Sequence, residues 1–132
     1  MTPETREHID KAREHLTKAC AFLDVMGFAD DAGRAAYPAT FHAAQALISE
    51  RTHRISKTHA GVHSQFNLLT KGDSRVGTEL RRFLSDAFDL KTVADYEVGP
   101  EAQVSLDEAQ AAIATATRFV DRIAEILAEE SP

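Results

Sequence analysis

Two residue types suited to metal-free phosphodiester chemistry stand close together in Arg54-Ile-Ser-Lys-Thr-His59, with four residues between them. Cleaving RNA with its own 2′-hydroxyl requires a group that moves protons near neutral pH. It also requires a cation that stabilises the charge building on phosphorus. Histidine suits the first task because its pKa lies at about 6.5. Arginine suits the second because its forked donors match phosphate oxygens. The pattern nominates His59 for proton transfer and Arg54 for phosphate, with Arg51, Lys57 and His63 as further phosphate or nucleotide contacts. The plainer reading of His59 is a helix cap or a bond to a backbone carbonyl.

The surroundings suit an anion or are chance in a solvated region. The chain carries a formal charge of −6, which disfavours general nucleic-acid binding. From Arg51 to Gly72, however, it has no Asp or Glu, while it holds Arg51, Arg54, Lys57, Lys71 and three histidines. His59 and His63 lie four apart, the spacing of a metal pair on a helix, but no cysteine or carboxylate follows nearby to complete a site. We therefore assign no metal and no cofactor. Neither a GxGxxG nor a GxxxxGK[ST] phosphate loop occurs, nor HExxH, nor CxxC. His42 reads as a hydrogen-bonded histidine at a helix contact, and Cys20 as a small core residue.

The elements that must position these groups read as helices throughout, since apolar residues recur every three or four positions. The first helix is expected over about Pro3 to Met26, capped by Thr2, with a stripe of Ile9, Ala12, Leu16, Ala19, Leu23 and Met26. A joint over Gly27–Gly33 leads to a second helix over about Arg34 to Arg51, with Tyr37, Phe41, Ala44 and Ile48 on its apolar face. Its many alanines allow a neighbouring helix to approach closely. Pro38 costs little if this helix starts near Arg34 and should kink it if the start is earlier. A third helix is expected over about Lys57 to Thr70, a turn over Lys71–Ser74, and a fourth helix over about Val76 to Val93. An irregular loop over Asp95–Pro100 follows, in which Asp95 accepts backbone or arginine donors. Ser105 and Glu108 form a capping-box pattern that opens the last helix, which ends near Glu129. The expected fold is an all-α antiparallel bundle of about five helices, one domain over residues 1–132.

One cysteine excludes an internal disulfide and fits a reducing compartment, so a cytoplasmic location is expected. No run of about 18 apolar residues exists and the first residues lack an apolar h-region, so neither a membrane span nor a signal peptide is expected.

Four segments together resemble the HEPN-domain family. They are Arg34-Ala-Ala-Tyr-Pro-Ala-Thr-Phe-His-Ala-Ala-Gln-Ala-Leu47, Ser56-Lys-Thr-His-Ala-Gly-Val62, Ala94-Asp-Tyr96 and Val104-Ser-Leu-Asp-Glu-Ala109. They lie in order and cover nearly the whole chain. Pro38 stands where the family usually has a helix-friendly residue, and Lys91 where an arginine is expected. The resemblance implies a helical bundle of about five helices, often a homodimer. It further implies a metal-independent endoribonuclease, often a toxin paired with a minimal nucleotidyltransferase, whose signature is an arginine followed after four to six residues by a histidine. Arg54 and His59 match that spacing. Family toxins usually carry a polar residue after the arginine and often a tyrosine two after the histidine, where this chain has Ile55 and Gly61.

Two functions follow as expectations. The first is an endoribonuclease or toxin-like component acting on RNA through Arg54 and His59. The alternative is a non-catalytic nucleotide- or partner-binding module that complexes with a nucleotidyltransferase.

Overall fold

The computed structural model of the chain describes residues 1–96 and 103–131, and they form five α-helices: α1 (Pro3–Asp24), α2 (Ala29–Thr52), α3 (His59–Thr70), α4 (Thr78–Tyr96) and α5 (Leu106–Glu130). No strand occurs among the described residues, as the helical periodicity predicts. α2 is the central element and packs against all four others.

α1 begins where Thr2 accepts the Thr5 amide and Pro3 needs no donor. It ends in a Schellman arrangement: the Phe28 amide donates to the Phe22 carbonyl, the Gly27 amide donates to the Leu23 carbonyl, and Gly27 takes φ 68°. Only residues 25–28 separate α1 from α2, so the two form a hairpin. Ile9, Ala12, Leu16, Ala19 and Leu23 are buried as the stripe predicts, whereas Met26 lies past the helix end and is exposed. The alanines of α2 (Ala35, Ala36, Ala39, Ala43, Ala44 and Ala46) are all buried, which brings neighbouring backbones close. α5 opens with the capping box of Ser105 and Glu108 and buries Ala109, Ala112, Ile113, Ala116, Phe119, Val120, Ile123, Ile126 and Leu127.

Three expectations are corrected. α2 begins at Ala29, not near Arg34, because Gly33 is not a turn residue. A Cβ there would meet Val104 Cγ1 at 3.1 Å and Leu90 Cδ2 at 3.4 Å, so this glycine serves close packing inside a helix. Pro38 therefore lies within α2 and leaves the Arg34 carbonyl without its usual intrahelical amide donor. Asp95 and Tyr96 belong to the last turn of α4 rather than to a loop, and the remainder of the expected loop, residues 97–100, lies outside the described residues. Cys20 is exposed, because it falls between the buried Ala19 and the half-buried Phe22 on the outer face of α1. Among the described residues no helix is long and apolar enough to cross a membrane.

Candidate functional site

α2 ends at His53, which takes a left-handed conformation (φ 55°) while its amide closes the helix on the Ser49 carbonyl. Such a backbone favours glycine, so a histidine here stores modest strain and reverses the chain into the 53–58 connection. That connection carries Arg54 and Lys57, both exposed. It is pinned at two points. Gln45 Nε2 donates to the Ser56 carbonyl at 3.1 Å, and Thr58 caps α3 by accepting the Gly61 amide at 3.0 Å.

The first turns of α3 bring His59 and His63 against Tyr37 of α2. The Tyr37 hydroxyl lies 2.8 Å from His59 Nδ1 and 3.0 Å from His63 Nε2. Phe41 and Phe88 complete the setting, their ring centroids 5.2 Å from that of His59. Tyr37 is 1% exposed, His63 is half-buried, and His59 reaches solvent. Burial pushes the Tyr37 phenol well above its ordinary range, so it stays protonated at neutral pH. Burial also lowers His63, as does the neighbouring His59, while Asp89 of α4 acts against both. The stretch that is free of acids in sequence thus has a carboxylate beside it in space.

Arg54 faces another surface. It lines an open cleft of about 510 Å³ with Ile48, Thr52, Ile55, Ser56, Gly61, Ser64 and Gln65. On α3, residues 61, 64 and 65 lie across the helix from residues 59 and 63. No hydrogen bond joins Arg54 to His59, and each reaches solvent beside a different face of α3. Arg51 is committed elsewhere: it donates to the Leu69 carbonyl at 3.0 Å and to Glu130 at 2.6 Å, and lies 3.7 Å from Asp73. Of the five residues nominated from sequence, His59 and His63 are therefore brought together, Arg54 and Lys57 share the adjoining loop, and Arg51 ties the end of α2 to α5.

Sequence reasoning placed Tyr37 on an apolar face and missed its hydroxyl. A phenol at a helix contact needs a hydrogen-bond partner, and that was the available signal. Among the described residues no group of three or more His, Cys, Asp or Glu side chains is arranged to hold a metal ion.

A five-helix bundle with an imidazole pair gathered on a buried tyrosine, beside a basic loop, defines a helical class with its polar chemistry at the α2–α3 junction. Residues 5–127 match the HEPN domain, and the chain belongs to the HEPN-domain family. It is 33% identical over 129 residues to "UPF0332 protein glr0978" of Gloeobacter violaceus, covering 98% of this chain and 100% of that protein. It is 31% identical over 126 residues to "Putative toxin MJ0605" of Methanocaldococcus jannaschii, covering 96% of this chain and 90% of that protein.

Proposed function

We propose that the protein is a metal-independent endoribonuclease acting as a toxin-like component, with His59 moving the proton and Arg54 stabilising the phosphate. The observation that carries this reading is His59 itself. Its Nδ1 is held by the Tyr37 hydroxyl while its ring reaches solvent beside a loop that carries Arg54 and Lys57. His59 takes the proton of the RNA 2′-hydroxyl, and the 2′-oxygen bonds to phosphorus. The bond to the departing 5′-oxygen breaks, leaving a 2′,3′-cyclic phosphate, and that oxygen recovers a proton through solvent. The name of the archaeal relative supports a toxin role. Because Arg54 and His59 border different faces of α3, the reading works best in a two-fold homodimer, where the arginine of one copy approaches the histidine of the other.

The test is RNA cleavage in EDTA by the wild type, His59→Ala and Arg54→Ala, with mass determination by light scattering. Cleavage lost in both variants supports the assignment. No cleavage by the wild type, or cleavage that survives both changes, removes it.

One observation favours a second reading, a nucleotide- or partner-binding module that complexes with a minimal nucleotidyltransferase. The cleft beside Arg54 has mixed lining, with Ile48 and Ile55 alongside Thr52, Ser56 and Ser64. A base could rest on the first and a phosphate on Arg54. Nucleotide binding abolished by Arg54→Ala but unaffected by His59→Ala supports this alternative.

A further inference from the structure

The Tyr37 hydroxyl has one proton and two imidazole nitrogens within hydrogen-bond reach. It can donate to only one of them, so the other nitrogen must carry hydrogen and donate to the phenol oxygen. Two polarities satisfy this. In one, His59 Nδ1–H donates to Tyr37 and Tyr37 donates to His63 Nε2. Both neutral rings then carry their proton on Nδ1, and His59 Nε2 presents a lone pair. In the other, the chain runs from His63 Nε2–H through Tyr37 to His59 Nδ1, both rings carry the proton on Nε2, and His59 has no free base to offer.

Two arguments select the first polarity. If His59 is the ring that takes the proton, the resulting cation donates from both nitrogens, and only the first polarity accommodates it without reversing. Burial lowers His63, which favours its neutral, accepting form. The groups bearing on the pair are the uncharged Tyr37 of α2, Asp89 of α4 and the two rings of α3 themselves. If both rings were charged, Tyr37 would face two donors and its own proton would have no acceptor in a buried position.

We propose that Tyr37 is the positioning residue of this site: bridging His59 and His63, it fixes His59 with Nε2 unprotonated and facing outward, and it lets the pair carry one positive charge rather than two. The catalytic consequence and the choice of His59 as the ring that takes the proton rest on the ribonuclease reading above, whereas the bridge itself rests on the hydrogen-bond geometry, and the burial of His63 supports the polarity. His63 acts through Tyr37 as the terminal acceptor, which differs from the phosphate contact its sequence position suggests.

The first test needs no RNA. Long-range ¹H–¹⁵N NMR of the whole chain reads the tautomer of each histidine. The expected result is Nδ1–H on both His59 and His63 near neutral pH. Nε2–H on both rings, the ordinary preference of imidazole in water, would overturn the proposal. Tyr37→Phe keeps the ring volume and should return both histidines to Nε2–H; unchanged tautomers in that variant would also overturn it. His63→Gln keeps an acceptor for the phenol and should preserve the His59 tautomer, and its loss there counts against the chain as drawn.

Cleavage assays on the same samples separate this proposal from the ribonuclease reading. The expected tautomers with no RNA cut leave the positioning role standing and remove the nuclease. If RNA is cut, Tyr37→Phe should lower kcat by about tenfold to a hundredfold at little change in KM, by analogy with the partners that orient metal-bound histidines. His63→Gln, which keeps an acceptor for the phenol, should retain most of the wild-type kcat. An unchanged kcat and pH profile in Tyr37→Phe would overturn the positioning role.

Discussion

Ser56 and Gly61 are packed so closely that a Cβ on the glycine would sit 2.3 Å from Ser56 Oγ, and 2.7 Å from Thr58 Oγ1. The serine can rotate away at little cost, but the threonine is occupied in capping α3. Gly61→Ala should therefore displace the 54–58 loop or break the cap, losing about 1–2 kcal/mol in urea unfolding. In a Ser56→Ala background the same change should cost less, because one of the two obstructions is gone. Equal costs in both backgrounds would show that the loop gives way elsewhere.

Arg51 and Lys57 should separate cleanly in their effects. Arg51 joins the Leu69 carbonyl to Glu130, and Arg75 extends the cluster to Asp73, Glu129 and Glu130. Asp73 is held down to about 2, first by its side-chain and backbone bonds with Arg75. Arg51→Ala should lower stability by about 1–2 kcal/mol and leave RNA or nucleotide affinity nearly intact. Lys57→Ala should do the reverse, reducing the salt slope of nucleic-acid binding by about 1 while the melting temperature stays put. Thermal melts and binding titrations across salt concentrations check both.

The end of α4 is clamped to the start of α2. Asp95 pairs with Lys91 and with the Arg34 guanidinium, which also donates to the Ala94 carbonyl at 3.0 Å. The Lys91 and Arg34 bonds hold the Asp95 carboxyl below the usual aspartate range. A folded-state value below the unfolded one means that this stabilisation is present above about pH 4 and is lost as the pH falls through the folded value. Asp95→Asn should cost about 1 kcal/mol at pH 7 and much less at the acid end, read from urea midpoints at the two pH values. An undiminished cost in acid would show that the carboxylate's charge contributes nothing.

The helices were legible because one periodicity dominates the chain, and because caps such as Thr2 and Ser105 carry their own local signal. Gly33 misled, since close packing against Val104 and Leu90 selects glycine as firmly as a turn does. The expectation that Asp95 accepts an arginine was met by Arg34, yet which arginine it would be depends on a contact spanning 61 positions. The pairing of His59 with His63 followed from four-residue spacing. The Tyr37 bridge did not, because it joins two helices and nothing local to either announces it. Likewise, loop and helix residues that neighbour each other in sequence, Arg54 and His59, come to border opposite faces of α3. A spacing motif alone carries no information about the side of a helix from which its loop approaches.

His42 provides the last expectation. It lies between His8 and His15 of α1, its ring stacked on theirs at centroid distances of 5.6 and 5.5 Å, and its Nδ1 is 3.3 Å from that of His8. Burial, reinforced by His8, His15 and Lys11, lowers His42 to about 4. A histidine that is neutral when folded but titrates normally when unfolded gives the unfolded chain more protons between about pH 6.5 and 4. Stability should therefore fall as the pH drops through that window, before most carboxylates protonate. Allowing for solvent screening of a half-buried group, the loss between pH 7 and 5 should be about 1–2 kcal/mol. His42→Gln keeps a polar side chain at the α1–α2 contact and removes one proton site, so its urea stability should fall less across the same range, the remainder coming from His8, His15 and His63, which burial also lowers. A wild-type profile that is flat from pH 7 to 5 would mean that the stacked rings open to water and charge together in the folded protein.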